Sequence, residues 1–406
     1  MAATAAYVNV MYAALKPNSY TNDTLCVYAR VLTIRNNRFV VVRDYTNSML
    51  QLHVCEGYTL RKSSLAMRWL RAGDLVSASG IVYKDKQNNV SILAKSMLLV
   101  SKCDRNKLIS YSLKRERMCS VALKVNVVWE LRRRLLRLGY VEVETPILHS
   151  LEPTSVNPFV TRYDWRKSLL QLRVSPEFFL KSYMCADVHR GVFEFAKSFR
   201  NEGGSVYHLR EFSLLELYCV DLSWEDCLSW LKSLFNCLCT VFNRNQPSQQ
   251  VFSYCELIRV CTGYRVELVG ADDAIRLVRL LGISAECYTW AAAAAALFDS
   301  LIVNTNNILY VLWYPVEFSP FSRAKWRGSR FSFRFEVYWN GVEIVNACVE
   351  LSDFIEQSKR CNQISNTLLE SLSYGLGYVL GLGIGVDRLA ALLFNKSSLA
   401  AITVVD

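Results

Sequence analysis

GVFEFAKSFRNEGGSVYHLREFSLLELYC, residues 191–219, decides how the rest of this chain is read. From Val192 to Arg200 polar and aromatic residues alternate with a period of two, and Glu211 to Tyr218 repeat the pattern after a glycine-containing loop. The spacing predicts a β-hairpin. In its second strand Phe212, Glu216 and Tyr218 fall on one face, so a ring, an anion and a hydroxyl project together. Arg200 and Glu202 stand where the first strand enters the loop, and His208 stands near its far end. A plain amphipathic hairpin needs none of this order: FRxE, loop, HxxEF, ExY.

Outward from the hairpin, the composition sets bounds. A chain of 406 residues predicts two or three domains, and an apolar fraction of 52% is ample for buried cores. No apolar run reaches the roughly 18 residues that span a bilayer, so a soluble chain with no membrane partner is expected. The first residues, MAATAAYVNVMYAALKPNSY, carry no basic segment ahead of their apolar ones and no arginine, unlike a secretory or transit leader. Fourteen cysteines without paired spacing fit reduced thiols in the cytoplasm, and four histidines offer no zinc site. The net charge of +11 is uneven. Residues 1–103 hold thirteen Lys or Arg against five Asp or Glu, the footprint of a nucleic-acid binder or simply a solvated basic surface.

In chain order, LCVYARVLTI, RFVVVRD and MLQLHVC read as strands, then SSLAMRWLRAG as a helix, then DLVSASGIVY and NVSILAKSMLLV as two more strands. Five strands with a helix between the third and fourth is the OB-fold pattern, a barrel that binds single-stranded nucleic acid. Phe39 offers a ring for stacking and Gln51 an amide for base edges, although Phe39 taken singly is better explained as core. Residues 104–124 read as a basic hinge. A helix follows with Val125, Val128, Leu131, Leu135 and Leu136 as its apolar stripe, ending at Gly139 before YVEVETP. Residues 220–305 are mostly helical in pattern. The expected class is α+β: a five-stranded barrel over 1–103, the hinge, and a larger domain over 125–406 with a mostly antiparallel sheet flanked by helices.

A second informative stretch, RFEVYWNGVEIVNACVEL at 334–351, contains Asn340-Gly341, a two-residue hairpin signal. In a regular hairpin Tyr338 pairs with Glu343 and Glu336 with Val345. Glu336 and Glu343 then share a face as diagonal neighbours, and two close carboxylates invite a divalent cation, Mg²⁺ with substrate phosphates. Asn346 and Glu350 would face away, so a bulge near Val345 is required to bring them to the same side.

The stretch 191–219 resembles motif 2 of the class II aminoacyl-tRNA synthetases, and FRNEG with EFSLLELY resembles the lysyl-tRNA synthetases specifically. Pro158-Phe159, LRVSPEFFLK (172–181) and YPVEFSPFSRAK (314–325) are similar to segments of that family. The helix and strand ending at Pro146 resemble motif 1, the dimer element. GIGVDR (383–388) resembles motif 3.

The resemblance implies an enzyme that activates lysine with ATP to lysyl-adenylate and pyrophosphate, then passes lysine to the 3′ end of its tRNA. It implies a homodimer, with Mg²⁺ as cofactor. By the same resemblance Arg200 holds the α-phosphate and substrate carboxylate, Arg388 the γ-phosphate, Glu202 the adenine amino group and Phe212 its ring face. His208 lies at the phosphate end of the loop or only bonds within it. Glu336 and Glu343 hold Mg²⁺, and Glu177 receives the α-amino group. Glu216, Tyr218, Asn346 and Glu350 enclose the lysine side chain, while Phe39 and Gln51 hold the central anticodon base. An ammonium between two carboxylates is favoured over an acidic or neutral side chain.

There are departures. LEPTSVN (151–157) stands where the family has a Gly-Gly-Ala loop, Val345, Ala347 and Cys348 replace glycines and an aromatic, and Asn89 stands for a glutamate. A lysine ligase acting on a translation factor, or a synthetase-like RNA-binding protein without catalysis, are the alternatives.

Overall fold

The computed structural model describes residues 24–44, 49–84, 90–104, 108–152, 156–186, 190–283, 286–302, 307–360 and 366–403. Asn89 and part of LEPTSVN lie outside them. The chain divides into two compact units, Met1–Glu116 and Arg117–Asp406.

The first unit is a closed barrel. Strands β1 (Thr24–Arg35), β2 (Phe39–Asp44) and β3 (Met49–His53), a short helix α1 (Arg61–Ala66), and strands β4 (Leu75–Lys84) and β5 (Val90–Ser101) close in the order β1-β2-β3-β5-β4. Alternation drives the closure. Val40 and Val42 on β2, and Leu50 and Leu52 on β3, point into a core shared with Val76, Ala78, Ile92 and Ala94. Their neighbours Phe39, Val41 and Gln51 stay half-buried on the outside. The helix expected over residues 63–73 is shorter; beyond Ala66, Met67 and Leu70 turn into the core instead.

Residues 108–124, expected to form a hinge, are helical. Helix α2 runs from Leu108 to Arg137 and stops at Gly139, whose φ of 81° suits glycine. Its buried stripe also differs from the expected one. Val127, Leu131 and Leu135 enter the core, while Val125, Trp129 and Leu136 are 58%, 61% and 50% exposed.

The second unit is built on an eight-stranded sheet. Its strands are β6 (Val141–Glu142), β10 (Gly191–Phe199), β11 (Glu211–Cys219), β12 (Gln249–Ser253), β13 (Ile308–Leu312), β14 (Arg334–Trp339), β15 (Val342–Val349) and β16 (Leu380–Gly385), ordered β12-β13-β14-β15-β16-β11-β10-β6. Only the outermost pairs, β12 with β13 and β10 with β6, are parallel. A small sheet of β7 (Leu148–Ser150), β8 (Val160–Tyr163) and β9 (Ser168–Leu172) stands apart.

Helices α3 (Glu177–Met184), α4 (Trp224–Val241), α5 (Tyr254–Thr262), α6 (Ala271–Leu280), α7 (Trp290–Leu301), α8 (Phe354–Arg360), α9 (Asn366–Ser373) and α10 (Val386–Leu393) complete the unit. The span 220–305 is mostly helical, as its pattern suggests, but also supplies the edge strand β12. Val127, Leu131 and Leu135 of α2, Leu231, Leu234, Phe235 and Leu238 of α4, and Leu389, Ala390 and Leu393 of α10 join one core with the sheet. No helix among the described residues is long and apolar enough to cross a membrane.

Candidate active site

The floor of the site is set by strand register. Glu336 on β14 lies opposite Asn346 on β15, Asn346 opposite Gly383 on β16, and Gly383 opposite Glu216 on β11. One row along, Arg334 faces Cys348, Cys348 faces Gly381, and Gly381 faces Tyr218. Cross-strand partners share a face, so two glycines form a bare strip between polar side chains. The strip must be bare: a Cβ at Gly381 would come within 2.2 Å of Glu350 Oε1, and one at Gly383 within 3.2 Å of Glu216 Oε1.

The bulge expected near Val345 is present. Tyr338 pairs with Glu343, but Val337 pairs with Val345, leaving Ile344 as the extra residue. Glu336 therefore meets Asn346 rather than Val345, and Asn346, Cys348 and Glu350 turn into the cleft.

The cleft encloses about 590 Å³, and every site residue expected in the second unit lines it: Glu177, Arg200, Glu202, His208, Phe212, Glu216, Tyr218, Glu336, Glu343, Asn346, Glu350 and Arg388. Phe39 and Gln51, on the first unit, form a separate constellation described below.

One end of the cleft is cationic. The Arg200 guanidinium lies 5.2 Å from the centroid of the Phe212 ring, and its Nε is buried with no hydrogen-bond partner. Arg388, on the first turn of α10, donates to the backbone oxygens of Glu343 at 2.9 Å and Tyr207 at 3.3 Å and lies 3.0 Å from His208 Nε2. Ser205 Oγ meets His208 Nδ1 at 2.7 Å, so His208 both bonds within its loop and reaches the second arginine. Burial and the Arg388 and Arg200 charges hold His208 below its usual pKa. Asp387, which sequence reasoning passed over, pins this end: its carboxylate accepts from Ser213 N at 2.6 Å and Lys124 Nζ at 2.9 Å.

The other end is acidic and largely buried. Burial, then the Glu177 charge, raise Glu216 well above the ordinary carboxylate range. Ser175 Oγ donates to Glu216 at 3.3 Å. Burial pushes Tyr218 upward as well, keeping its hydroxyl protonated. Glu350 is also raised by burial, to about 7, against the opposing pull of Lys181. Lys181 was not among the expected residues. Its ammonium lies 2.6 Å from both Glu177 Oε1 and Glu350 Oε2. Cys348 Sγ donates to the other Glu350 oxygen at 3.4 Å.

Between the ends, Glu336 accepts from Arg334, Tyr338 and, at 3.2 Å, Asn346. Enclosure in the cleft and the Glu336 charge raise Glu343, which leans to 3.6 Å from Arg388. The described residues contain no group of three or more metal-ligating side chains.

On the barrel, the Phe39 ring stacks on His53 at 4.5 Å and 19°. His53 Nδ1 meets Tyr83 Oη at 3.2 Å, and Gln51 lies one alternation away on β3.

An arginine over a stacking ring, a second arginine nearby and a glycine floor between carboxylates, on a mostly antiparallel sheet, agree with what comparison finds. Residues 105–404 match the family model of tRNA synthetases class II (D, K and N). The chain belongs to this family. As a class II synthetase it is a ligase whose substrates are an amino acid, ATP and tRNA. It is similar to the lysine–tRNA ligase of Rhizobium meliloti (strain 1021), 27% identical over 96% of this chain and 87% of that protein. The lysine–tRNA ligase of Rhizobium etli (strain CIAT 652) is 26% identical over 98% and 89%, and that of Wigglesworthia glossinidia brevipalpis 26% over 92% and 86%.

Proposed function

We propose that this synthetase is specific for lysine, forming lysyl-adenylate and pyrophosphate from ATP and then transferring lysine to the 3′ end of its tRNA. The observation that carries the choice is the acidic end of the cleft. Glu216, Tyr218 and Glu350 line one buried pocket around the Gly381–Gly383 strip, with Glu177 alongside. A buried pair of carboxylates has a strong preference for a cationic side chain and rejects an acidic one. The named relatives support the same amino acid.

In this reading the α-carboxylate of lysine faces Arg200, whose Nε has a free donor for it, and the α-ammonium faces Glu177. The ε-ammonium meets Glu216, Glu350 and the Tyr218 hydroxyl, with Asn346 beside it. Adenine lies on the Phe212 ring with its amino group toward Glu202. Arg388 and His208 receive the outer phosphates. The reaction is in-line attack by a carboxylate on the α-phosphorus, which needs charge neutralisation and positioning rather than a protein nucleophile.

Two repelling carboxylates, with Glu336 already engaged by Arg334 and Tyr338, do not amount to a protein cage. They fit Mg²⁺ that arrives with the nucleotide and takes its remaining oxygens from phosphate and water. Glu336 and Glu343 would hold it, and it would supply charge neutralisation at the phosphates.

The OB-fold barrel over 1–103 is assigned to the anticodon, with Phe39 and Gln51 at the central base, and residues 125–406 to catalysis. The exposed stripe of Val125, Trp129 and Leu136 supports a homodimer through the motif 1 region. Every cysteine described is free, in keeping with a cytoplasmic enzyme.

Amino-acid-dependent ATP–pyrophosphate exchange with all twenty amino acids tests the proposal. Lysine alone should support exchange. Exchange with another amino acid would overturn the specificity, and exchange without charging of tRNA would favour a protein acceptor.

A further inference from the structure

Lys181 does not line the cleft, yet its ammonium touches two carboxylates that do. Its side chain is 3% exposed and lies 4.8 Å from the Phe321 ring centroid and 6.0 Å from that of Tyr218. Helix α3 explains the approach. Lys181 is four residues after Glu177, on the face that also buries Leu180 and Met184, so it reaches Glu177 and Glu350 from the protein side and leaves their cleft side free. Burial opposes its charge, but the Glu177 and Glu350 anions outweigh burial and keep it an ammonium.

Glu216 is treated differently. It too is buried, at 9% exposure against 3% for Glu350, and its direct partner is the neutral Ser175 hydroxyl; no ion pair reaches it among the described residues. The groups facing the pair are Glu177 and Lys181 from α3, Glu216 and Tyr218 from β11, Cys348 from β15 and, farther off, Arg334 from β14. Among these Lys181 is the only cation in contact with Glu177, Glu216 or Glu350.

We propose that Lys181 is a built-in counter-ion and positioning residue that holds Glu350 ionised before the amino acid arrives, leaving Glu216 as the carboxyl that releases its proton on binding. This rests on the lysine reading above. The pocket then offers an incoming ammonium one acceptor already charged and fixed in place, and a second that becomes charged only with a cation beside it. Three carboxylates against one ammonium leave two negative charges, matching the two ammonium groups of lysine. Without Lys181 the pocket would carry a second proton, which each binding event would have to expel.

The test is calorimetry of lysine binding to the full chain in two buffers of different ionisation enthalpy, at about pH 8, which counts protons released. Wild type should release about one, Lys181→Met about two, and Lys181→Met/Glu350→Gln about one again. In pyrophosphate exchange the lysine KM of Lys181→Met should fall with rising pH more steeply than that of wild type, by up to about tenfold per pH unit, while the ATP KM holds. An equal proton count in wild type and Lys181→Met, with KM raised by one factor at every pH, would reduce Lys181 to packing and overturn the proposal. If Lys181→Met does not fold, two variants that keep Lys181 decide. Glu216→Gln must lose the released proton and Glu350→Gln must keep it; the reverse overturns the assignment. Wild type that binds another amino acid and not lysine would fail the parent reading, a result distinct from an unchanged proton count.

Discussion

The two ends of the cleft are prepared in opposite ways. At the nucleotide end Arg200 keeps an unpartnered Nε, and Arg388 is held by backbone oxygens and His208 with only Glu343, 3.6 Å away, as a counter-charge, so cationic charge stands partly unneutralised. At the amino-acid end the charges are buried, and Glu177 and Glu350 are partnered with Lys181 before any ligand is present. The difference follows from ligand charge and solvent. A triphosphate brings several negative charges and remains partly hydrated, so half-buried arginines serve it. A single ammonium entering a buried pocket needs nearby charges to be balanced in advance, because an unpaired buried carboxylate takes up a proton instead.

The sharpest way to break this contrast is Arg200→Ala. Loss of a charge aimed at the reacting phosphate should cut lysine-dependent pyrophosphate exchange by about 10²–10³-fold. Because Arg200 makes no ion pair among the described residues, thermal stability should barely move. A large fall in melting temperature would show that the cationic end is structural. Next in size, Glu350→Gln should raise the lysine KM by about 10²-fold, as expected for removing one partner of a desolvated charge pair, with the ATP KM unchanged. An unaltered lysine KM would mean that Glu350 serves Lys181 rather than the substrate.

Legibility in the sequence divides along similar lines. The barrel, the 191–219 hairpin and the carboxylates of β14 and β15 could be read because period-two alternation fixes which side chains share a face. The bulge could be read because Asn346 and Glu350 otherwise have the wrong parity. The α2 stripe was read in part: Leu131 and Leu135 are core and Val128 packs against it, but Val125 and Leu136 do not. Val125 and Leu136 are apolar at helical spacing, but their face is exposed, and periodicity cannot say which of two apolar faces meets the core. The basic run at 104–124 was read as a hinge, and the division between the two units falls within it, but basic composition did not reveal that a helix continues through it. Lys181 was missed for another reason: its i, i+4 spacing from Glu177 was visible, but its contact with Glu350, 169 residues away, is purely tertiary. The glycines of LGLGIG entered the sequence reading only through the motif 3 resemblance of GIGVDR. Their period of two carried a further signal, a strand with one bare face that becomes the floor of the pocket.

The acidic end also predicts how stability depends on pH. Burial raises Glu350 to about 7, with Lys181 pulling against it, and burial raises Glu216 well above the ordinary carboxylate range. Unfolded, both carboxyls lose their protons near 4.5. Between those values the folded state binds more protons than the unfolded state, so the unliganded enzyme should lose stability as pH rises from about 5 to about 7. A few degrees of melting temperature is the scale expected from about 1–2 kcal/mol in a chain of this size. Saturating lysine should flatten the slope, since its ammonium favours the ionised carboxyls. A scan of melting temperature against pH with and without lysine checks both signs; stability rising over this interval in the unliganded enzyme would contradict the buried, proton-holding pocket.

The smallest effect is expected from the other unit, and it tests whether the contrast within the cleft stands by itself. Phe39 lies half-buried on the barrel with His53 stacked against its ring. Base stacking on such a ring is worth about 1–3 kcal/mol, so Phe39→Ala should raise the tRNA KM by about tenfold or somewhat more. Pyrophosphate exchange, which needs only lysine and ATP, should be unchanged. Phe39 is half-buried and lies outside the barrel core, so the substitution should cost little stability. A matching loss of exchange would mean that the barrel influences the amino-acid pocket and that the charge balance described for Glu177, Lys181 and Glu350 is incomplete. An unchanged tRNA KM would instead make Phe39 a supporting ring for His53, and would shift the base-binding role to His53 and Gln51.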